Sequence, residues 1–123
     1  MQRLPESELD LMLAIWEAAE LPVGRSYFEK ELAYKNWSVN ALNSFLTRLE
    51  DKGFLKSSRE GKSKYYTPLV TRECYLSHEN RNFLHKLYQG SLKNFILSMS
   101  GQEKLDDDEI MELKHYLDSL RKE

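Results

Sequence analysis

Between Trp37 and Val70 the chain carries a pattern that few architectures satisfy. Trp37, Leu42, Phe45, Leu46 and Leu49 fall at helical spacing, Ser38 stands where an N-cap belongs, and Gly53 follows the last turn as a helix terminator. Phe54 and Leu55 then open a short strand, a Ser-Arg-Glu-Gly-Lys stretch turns the chain, and Lys64-Tyr65-Tyr66-Thr67 returns as a second strand that Pro68 ends. A capped amphipathic helix running into a basic two-stranded ribbon predicts a winged helix-turn-helix. That architecture lays its helix in a DNA major groove and its ribbon along the flanking backbone. Tyr65 and Tyr66 alternate along the ribbon, so one packs on the core and the other faces outward.

The residues ahead of this unit supply its remaining helices. Pro5-Glu6-Ser7-Glu8 starts a first helix whose Leu9, Met12, Leu13, Ile15 and Trp16 form one broad apolar face, with Leu21-Pro22 closing it. A second helix runs from about Ser26, its expected cap, to Tyr34, with Phe28 and Leu32 turned inward. Helices this short cannot bury their stripes alone and must share a core.

Net charge is −2 over 123 residues, which says little until it is divided along the chain. Residues 1–22 set Arg3 against five acids, and residues 71–123 set eight Lys or Arg against ten acids. Residues 23–70 hold nine Lys or Arg against five acids, so the positive excess lies in the unit that would meet phosphates. A solvated surface of mixed charge is the competing explanation. No apolar run approaches the roughly 20 residues of a membrane span, and Met-Gln-Arg-Leu-Pro-Glu-Ser-Glu lacks the apolar stretch of a secretory signal. A cytoplasmic protein without membrane insertion is expected.

After Val70 the character changes. Residues 72–99 predict one long helix with Tyr75, Phe83, Leu84, Leu87, Tyr88, Leu92, Phe95, Ile96 and Met99 as its apolar members. A polar break at Ser100-Gly101-Gln102 precedes a last helix from about Asp107, in which Ile110, Leu113, Leu117 and Leu120 recur. These helices are too apolar for a solvated appendage and too short to fold alone. They predict an isologous homodimer built on Phe83, Leu84, Leu87, Leu92, Phe95, Ile96, Ile110, Leu113, Leu117 and Leu120. The alternative folds them back on their own winged domain. The fold class read here is mainly α: a winged helix-turn-helix of three helices and a two-stranded β wing over residues 1–70, then C-terminal dimerisation helices over residues 71–123.

The motifs Leu-Pro-Glu-Ser-Glu-Leu-Asp-Leu-Met-Leu-Ala-Ile-Trp, Asn36 to Leu55, Tyr-Tyr-Thr-Pro-Leu-Val and Asp-Asp-Asp-Glu-Ile-Met-Glu-Leu-Lys-His-Tyr-Leu resemble the penicillinase and methicillin-resistance repressors (BlaI/MecI), with the related copper-responsive repressors (CopY). The likeness spans nearly the whole chain; Trp16, Trp37-Ser38, Thr47-Arg48-Leu49, Lys52-Gly53 and Leu69-Val70 sit where that family has them. The resemblance implies a homodimeric transcriptional repressor bound at a palindromic double-stranded DNA operator ahead of resistance or stress genes. In the antibiotic-sensing members it also implies a membrane sensor protease whose signalling leads to cleavage in the C-terminal region.

Departures from the family pattern shape the expected site. Family recognition helices read W-S-P-K-T-I-R-T, whereas Val39, Asn40, Ala41, Leu42, Asn43 and Ser44 stand in those places here. Asn suits bidentate contact with adenine where Lys or Arg suits guanine, so a different operator is expected. The candidate DNA-binding residues are Ser38, Asn40, Ala41, Asn43, Ser44, Thr47, Arg48, Lys52, Arg59, Lys62 and Lys64. The family's scissile Asn-Phe pair aligns with Ser98-Met99, and the nearby Asn94-Phe95 pair is read as coincidence. Proteolytic release is therefore one alternative among several.

The copper branch relies on paired C-terminal cysteines, and no cysteine follows Cys74. Cys74, His78 and His85 fall near one helical stripe, which sets up a metal-responsive alternative against a reading of packing and surface residues. The favoured expectation includes no metal and no cofactor. There is no G-x-S-x-G, no phosphate-binding glycine loop and no H-E-x-x-H, and Asp106-Asp107-Asp108-Glu109 sits at a helix start where it complements the dipole, so the chain is read as non-enzymatic. A winged-helix module that contacts only proteins stands as the second functional class.

Overall fold

The computed structural model describes residues 1–100 and 106–121. The described chain divides into two compact units, Met1–Asn80 and Arg81–Glu123. Tyr75, on the helix that follows Val70, is buried in the first unit's core.

In the first unit α1 (Glu6–Trp16) starts after Pro5, whose carbonyl accepts from the Leu9 amide at 2.9 Å. Its buried stripe is Glu8, Leu11, Met12 and Ile15, spaced i, i+3, i+4, i+7. Of the apolar face expected at Leu9, Met12, Leu13, Ile15 and Trp16, Met12 and Ile15 are buried and Leu9 and Trp16 pack against the core, while Leu13 is 38% exposed and Leu11, outside that set, is fully buried. A carboxylate at the first core-facing position disguises the true stripe.

A strand that sequence periodicity misses, β1 (Val23–Gly24), leads directly into α2 (Arg25–Glu31). This helix is capped by Gly24 rather than Ser26 and ends before Leu32, after which Ala33–Lys35 form a 3-10 turn. Asn36 closes that turn in the left-handed region, φ 56°, a conformation asparagine tolerates better than most residues. Lys35 bonds Asp10 of α1 at 2.9 Å, and this hydrogen bond raises the lysine's pKa despite its partial desolvation.

The third helix, α3 (Val39–Asp51), follows the sequence reading closely: Ser38 Oγ accepts from the Ala41 amide at 3.0 Å, and Leu42, Leu46 and Leu49 are buried. Gly53, at φ 80°, lets the chain leave the helix. β2 (Leu55–Glu60) and β3 (Ser63–Pro68) then pair antiparallel from Leu55↔Pro68 to Glu60↔Ser63, and β1 adds to the other side of β3, making three strands in the order β1-β3-β2. Tyr66 turns into the core at 5% exposure, edge-on to Phe28 at 6.0 Å, and burial pushes its phenol up in pKa.

Tyr75 closes the core: its ring meets Trp16 at 5.9 Å and Phe54 at 5.8 Å, and its hydroxyl accepts from the Leu4 amide at 3.0 Å. Trp16 Nε1 donates to the Val70 carbonyl at 2.9 Å.

The long helix expected over 72–99 is two helices, α4 (Arg72–Tyr88) and α5 (Leu92–Ser100). Gln89 and Gly90 adopt φ 53° and 82°, and the Gly90 amide donates to the Leu84 carbonyl at 3.0 Å, a left-handed helix end. The apolar spacing resumes beyond the break, so periodicity alone runs through it. In the second unit Phe83, Tyr88 and Phe95 form an aromatic cluster with ring separations of 5.5–5.9 Å. α6 (Asp107–Ser119) is capped by Asp106, whose Oδ1 accepts from the Glu109 amide at 2.7 Å. The break expected at Ser100-Gly101-Gln102 lies, from Gly101 on, outside the described residues.

Candidate nucleic-acid interface

Burial of Leu42, Leu46 and Leu49 fixes which side of α3 faces outward. Asn40, Asn43, Ser44, Thr47 and Arg48 share that outer side and line one shallow depression. Ala41 is half-buried, and the Ser38 hydroxyl oxygen is engaged as the helix cap. Thr47 donates its hydroxyl proton to the Asn43 carbonyl at 2.9 Å, and the Arg48 guanidinium lies 5.9 Å from the Phe45 ring centre. Phe45 in turn stacks edge-on with Trp37 at 5.0 Å, which holds the leading end of α3 to the turn before it.

Asn43 and Thr47 also border a larger open groove of about 650 Å³, walled on the far side by Arg59, Lys62, Ser63, Lys64 and Tyr65 of the wing. Thus the helix face and the wing enclose a single surface. Gly61, at φ 63°, permits the tight turn that carries Lys62 at the wing tip. Arg59 and Lys62 are exposed and have no ion pair among the described residues.

Two of the expected contact residues are engaged inside the domain. Lys52 donates to Glu8, a carboxylate only 2% exposed, and Lys64 pairs with Glu50 at 3.0 Å. These bonds tie the end of α3 to α1 and the wing to α3. Arg25, at the start of α2, is a groove residue that sequence reasoning missed; its Nε donates to Glu29 Oε1 at 2.8 Å and its Nη1 to Asn43 Oδ1 at 3.5 Å. The one available signal was its place in the basic middle segment.

The residues expected to form a dimer interface lie in the second unit. Leu87, Leu92, Ile110, Leu113, Leu117 and Leu120 are 36–60% exposed, whereas Phe83, Leu84, Phe95 and Ile96 are half-buried. Ser98 and Met99 lie within α5, where the Ser98 hydroxyl bonds Tyr88 at 2.9 Å. Asn94 sits in the first turn of the same helix, its amide donating to Ser91 Oγ at 3.1 Å. Cys74 is exposed, His78 bonds the Met1 carbonyl at 3.0 Å, and His85 borders Gly90; among the described residues no cluster of three His, Cys, Asp or Glu is placed to hold a metal ion. No helix among the described residues is long and apolar enough to cross a membrane.

Comparison with known proteins agrees with this architecture. The penicillinase repressor family matches residues 4–119. The chain is 30% identical to the penicillinase repressor of Bacillus licheniformis over 122 residues, covering 96% of this chain and 94% of that protein. It is 28% identical to the methicillin resistance regulatory protein MecI of Staphylococcus aureus over 114 residues, covering 93% and 92%. A penicillinase repressor of Staphylococcus aureus is 27% identical over 116 residues, covering 94% and 91%. With a mainly helical winged-helix unit and a match over nearly its full length, the chain belongs to the penicillinase repressor family, a family of transcriptional repressors rather than of enzymes.

Proposed function

We propose that the protein represses transcription by binding, as a homodimer, a palindromic duplex operator ahead of a resistance or stress operon. The observation that carries this reading is the continuity of the outer face of α3 with the wing groove, which sets Asn40, Asn43, Ser44 and Thr47 beside the cations Arg48, Arg59 and Lys62. Polar side chains on the leading half of a recognition helix read base edges, and flanking cations hold phosphates. Lys52 and Lys64 serve this surface indirectly, fixing the height of α3 and the angle of the wing through Glu8 and Glu50. Replacement of the family's Lys, Thr and Arg by Asn40, Ala41 and Asn43 gives an operator different from the usual family sequence.

Dimerisation is supported by the exposed apolar residues of α5 and α6. Leu92, Leu97 and Met99 on α5 and Ile110, Leu113, Leu117 and Leu120 on α6 leave more apolar surface in water than a lone helical unit stably tolerates. Two recognition helices related by a two-fold axis then meet half-sites about one or more helical turns apart.

Titration of duplex binding with salt tests the DNA reading. Phosphate-dominated association loses affinity steeply as salt rises, and absence of any duplex binding at low salt would favour a protein-interaction module instead. Sedimentation at micromolar concentration tests the dimer; a strictly monomeric chain ends that part of the reading.

A further inference from the structure

The groove between α3 and the wing contains one side-chain arrangement that restricts which base Asn43 can read. Arg25 is held at Nε by Glu29, 2.8 Å away, and reaches with Nη1 to Asn43 Oδ1 at 3.5 Å. A guanidinium has donors only, so the Asn43 amide must turn its oxygen toward Arg25 and its NH2 away from it. Thr47, one turn further on, spends its hydroxyl proton on the Asn43 main-chain carbonyl at 2.9 Å and does not compete for the amide.

We propose that Arg25 and Asn43 act as one composite reader of guanine, with Arg25 setting the orientation of the Asn43 amide. This rests on the DNA-binding reading above. An isolated asparagine favours adenine because its oxygen accepts from N6 while its NH2 donates to N7. Here one lone pair of the oxygen is directed to a guanidinium, so an adenine N6 group using the other would sit beside the N–H groups of Arg25 and gain less than at an isolated asparagine. Guanine offers two acceptors, O6 and N7, on the same edge. The Asn43 NH2 takes one and a free N–H of Arg25 takes the other. Glu29 pairs with the Nε of this guanidinium, which separates Arg25 from the unpaired cations of the wing tip.

Selection of binding sites from random duplex DNA, performed on the full chain, tests the proposal. Asn43→Ala identifies the base position governed by Asn43, as the one whose preference it erases. At that position the unsubstituted protein is expected to favour guanine over adenine by about tenfold. Arg25→Ala is expected to turn the preference to adenine, a reversal that mere loss of a cation would not produce. Preference for adenine in the unsubstituted protein overturns the proposal, as does an unchanged guanine preference in Arg25→Ala. Failure of the unsubstituted protein to bind any duplex at low salt removes the DNA reading itself and this inference with it.

Discussion

The Lys52 ammonium at the C-terminal end of α3 donates to the carboxylate of Glu8, which lies at 2% exposure on the core face of α1. The two ends of this pair are unequal, because Lys52 keeps 24% of its side chain in solvent. Lys52→Ala strands a buried charge and is expected to destabilise the protein by about 3 kcal/mol, whereas Glu8→Ala frees a lysine that can reach water and costs about half as much. Glu8→Leu combined with Lys52→Met restores an apolar contact and should return stability to within about 1 kcal/mol of the starting protein. Urea unfolding at fixed protein concentration measures all three; equal losses in the two single variants would show that the pair is not asymmetrically buried.

That same pair explains why the core face of α1 is only partly legible in the sequence. Reading hydrophobic spacing selects Leu9, Met12, Leu13, Ile15 and Trp16 and finds Met12 and Ile15, but a charged residue at position 8 hides that Glu8 and Leu11 complete the stripe that the core uses. Nothing in local pattern identifies Lys52, 44 residues away, as the compensating partner. The third helix and the wing were legible because their signals are local: a cap at Ser38, left-handed glycines at 53 and 61, and strand alternation around Tyr66. β1 was not, since two residues carry no period, and the break at Gln89-Gly90 was hidden by apolar spacing that continues beyond it. Within the site, the outer face of α3 could be read from the sequence, but the Arg25 contact joins residues 18 apart through their fold and could not.

Tyr75 binds the N-terminal segment to the winged unit through one hydrogen bond whose donor, the Leu4 amide, belongs to a residue 5% exposed. Tyr75→Phe preserves the ring contacts with Trp16 and Phe54 and removes only the acceptor. An orphaned buried amide costs about 1–3 kcal/mol, so a loss within that range is expected, with faster hydrogen exchange at Leu4. Unchanged exchange at Leu4 would mean that water reaches the amide in the native state.

Stability should fall at alkaline pH with a contribution from Tyr66. Desolvation by burial holds its phenol above the ordinary 10.0, outweighing the opposite pull of Lys64. Because the folded value is the higher one, the folded state keeps its proton longer; the stabilisation is complete below pH 10.0 and is lost as pH rises through the folded value. Tyr66→Phe keeps the edge-on contact with Phe28 and should flatten this alkaline limb. Tyr27 and Lys35, whose values are also raised, supply the slope that remains. Thermal unfolding across pH 8–12 in the two proteins makes the comparison; identical limbs would place the titration elsewhere.

The wing cations should separate by their ion pairing when duplex binding is titrated with salt. Arg59 and Lys62 are exposed, with no ion pair among the described residues, whereas Lys64 is ion-paired with Glu50 at 3.0 Å and lies over the Tyr66 ring at 5.6 Å. A cation that displaces counterions from a phosphate contributes about 0.9 to the slope of log affinity against log salt. Arg59→Ala and Lys62→Ala should therefore each flatten that slope by nearly one, with weakened binding to all sequences alike. Lys64→Ala should change the slope by less than half as much, because its charge is already balanced by Glu50; its effect should appear instead as lower stability of the wing, read by hydrogen exchange along β2 and β3. A full unit of slope lost with Lys64→Ala would mean that DNA draws Lys64 away from Glu50, making the wing a part that rearranges on binding rather than one set beforehand.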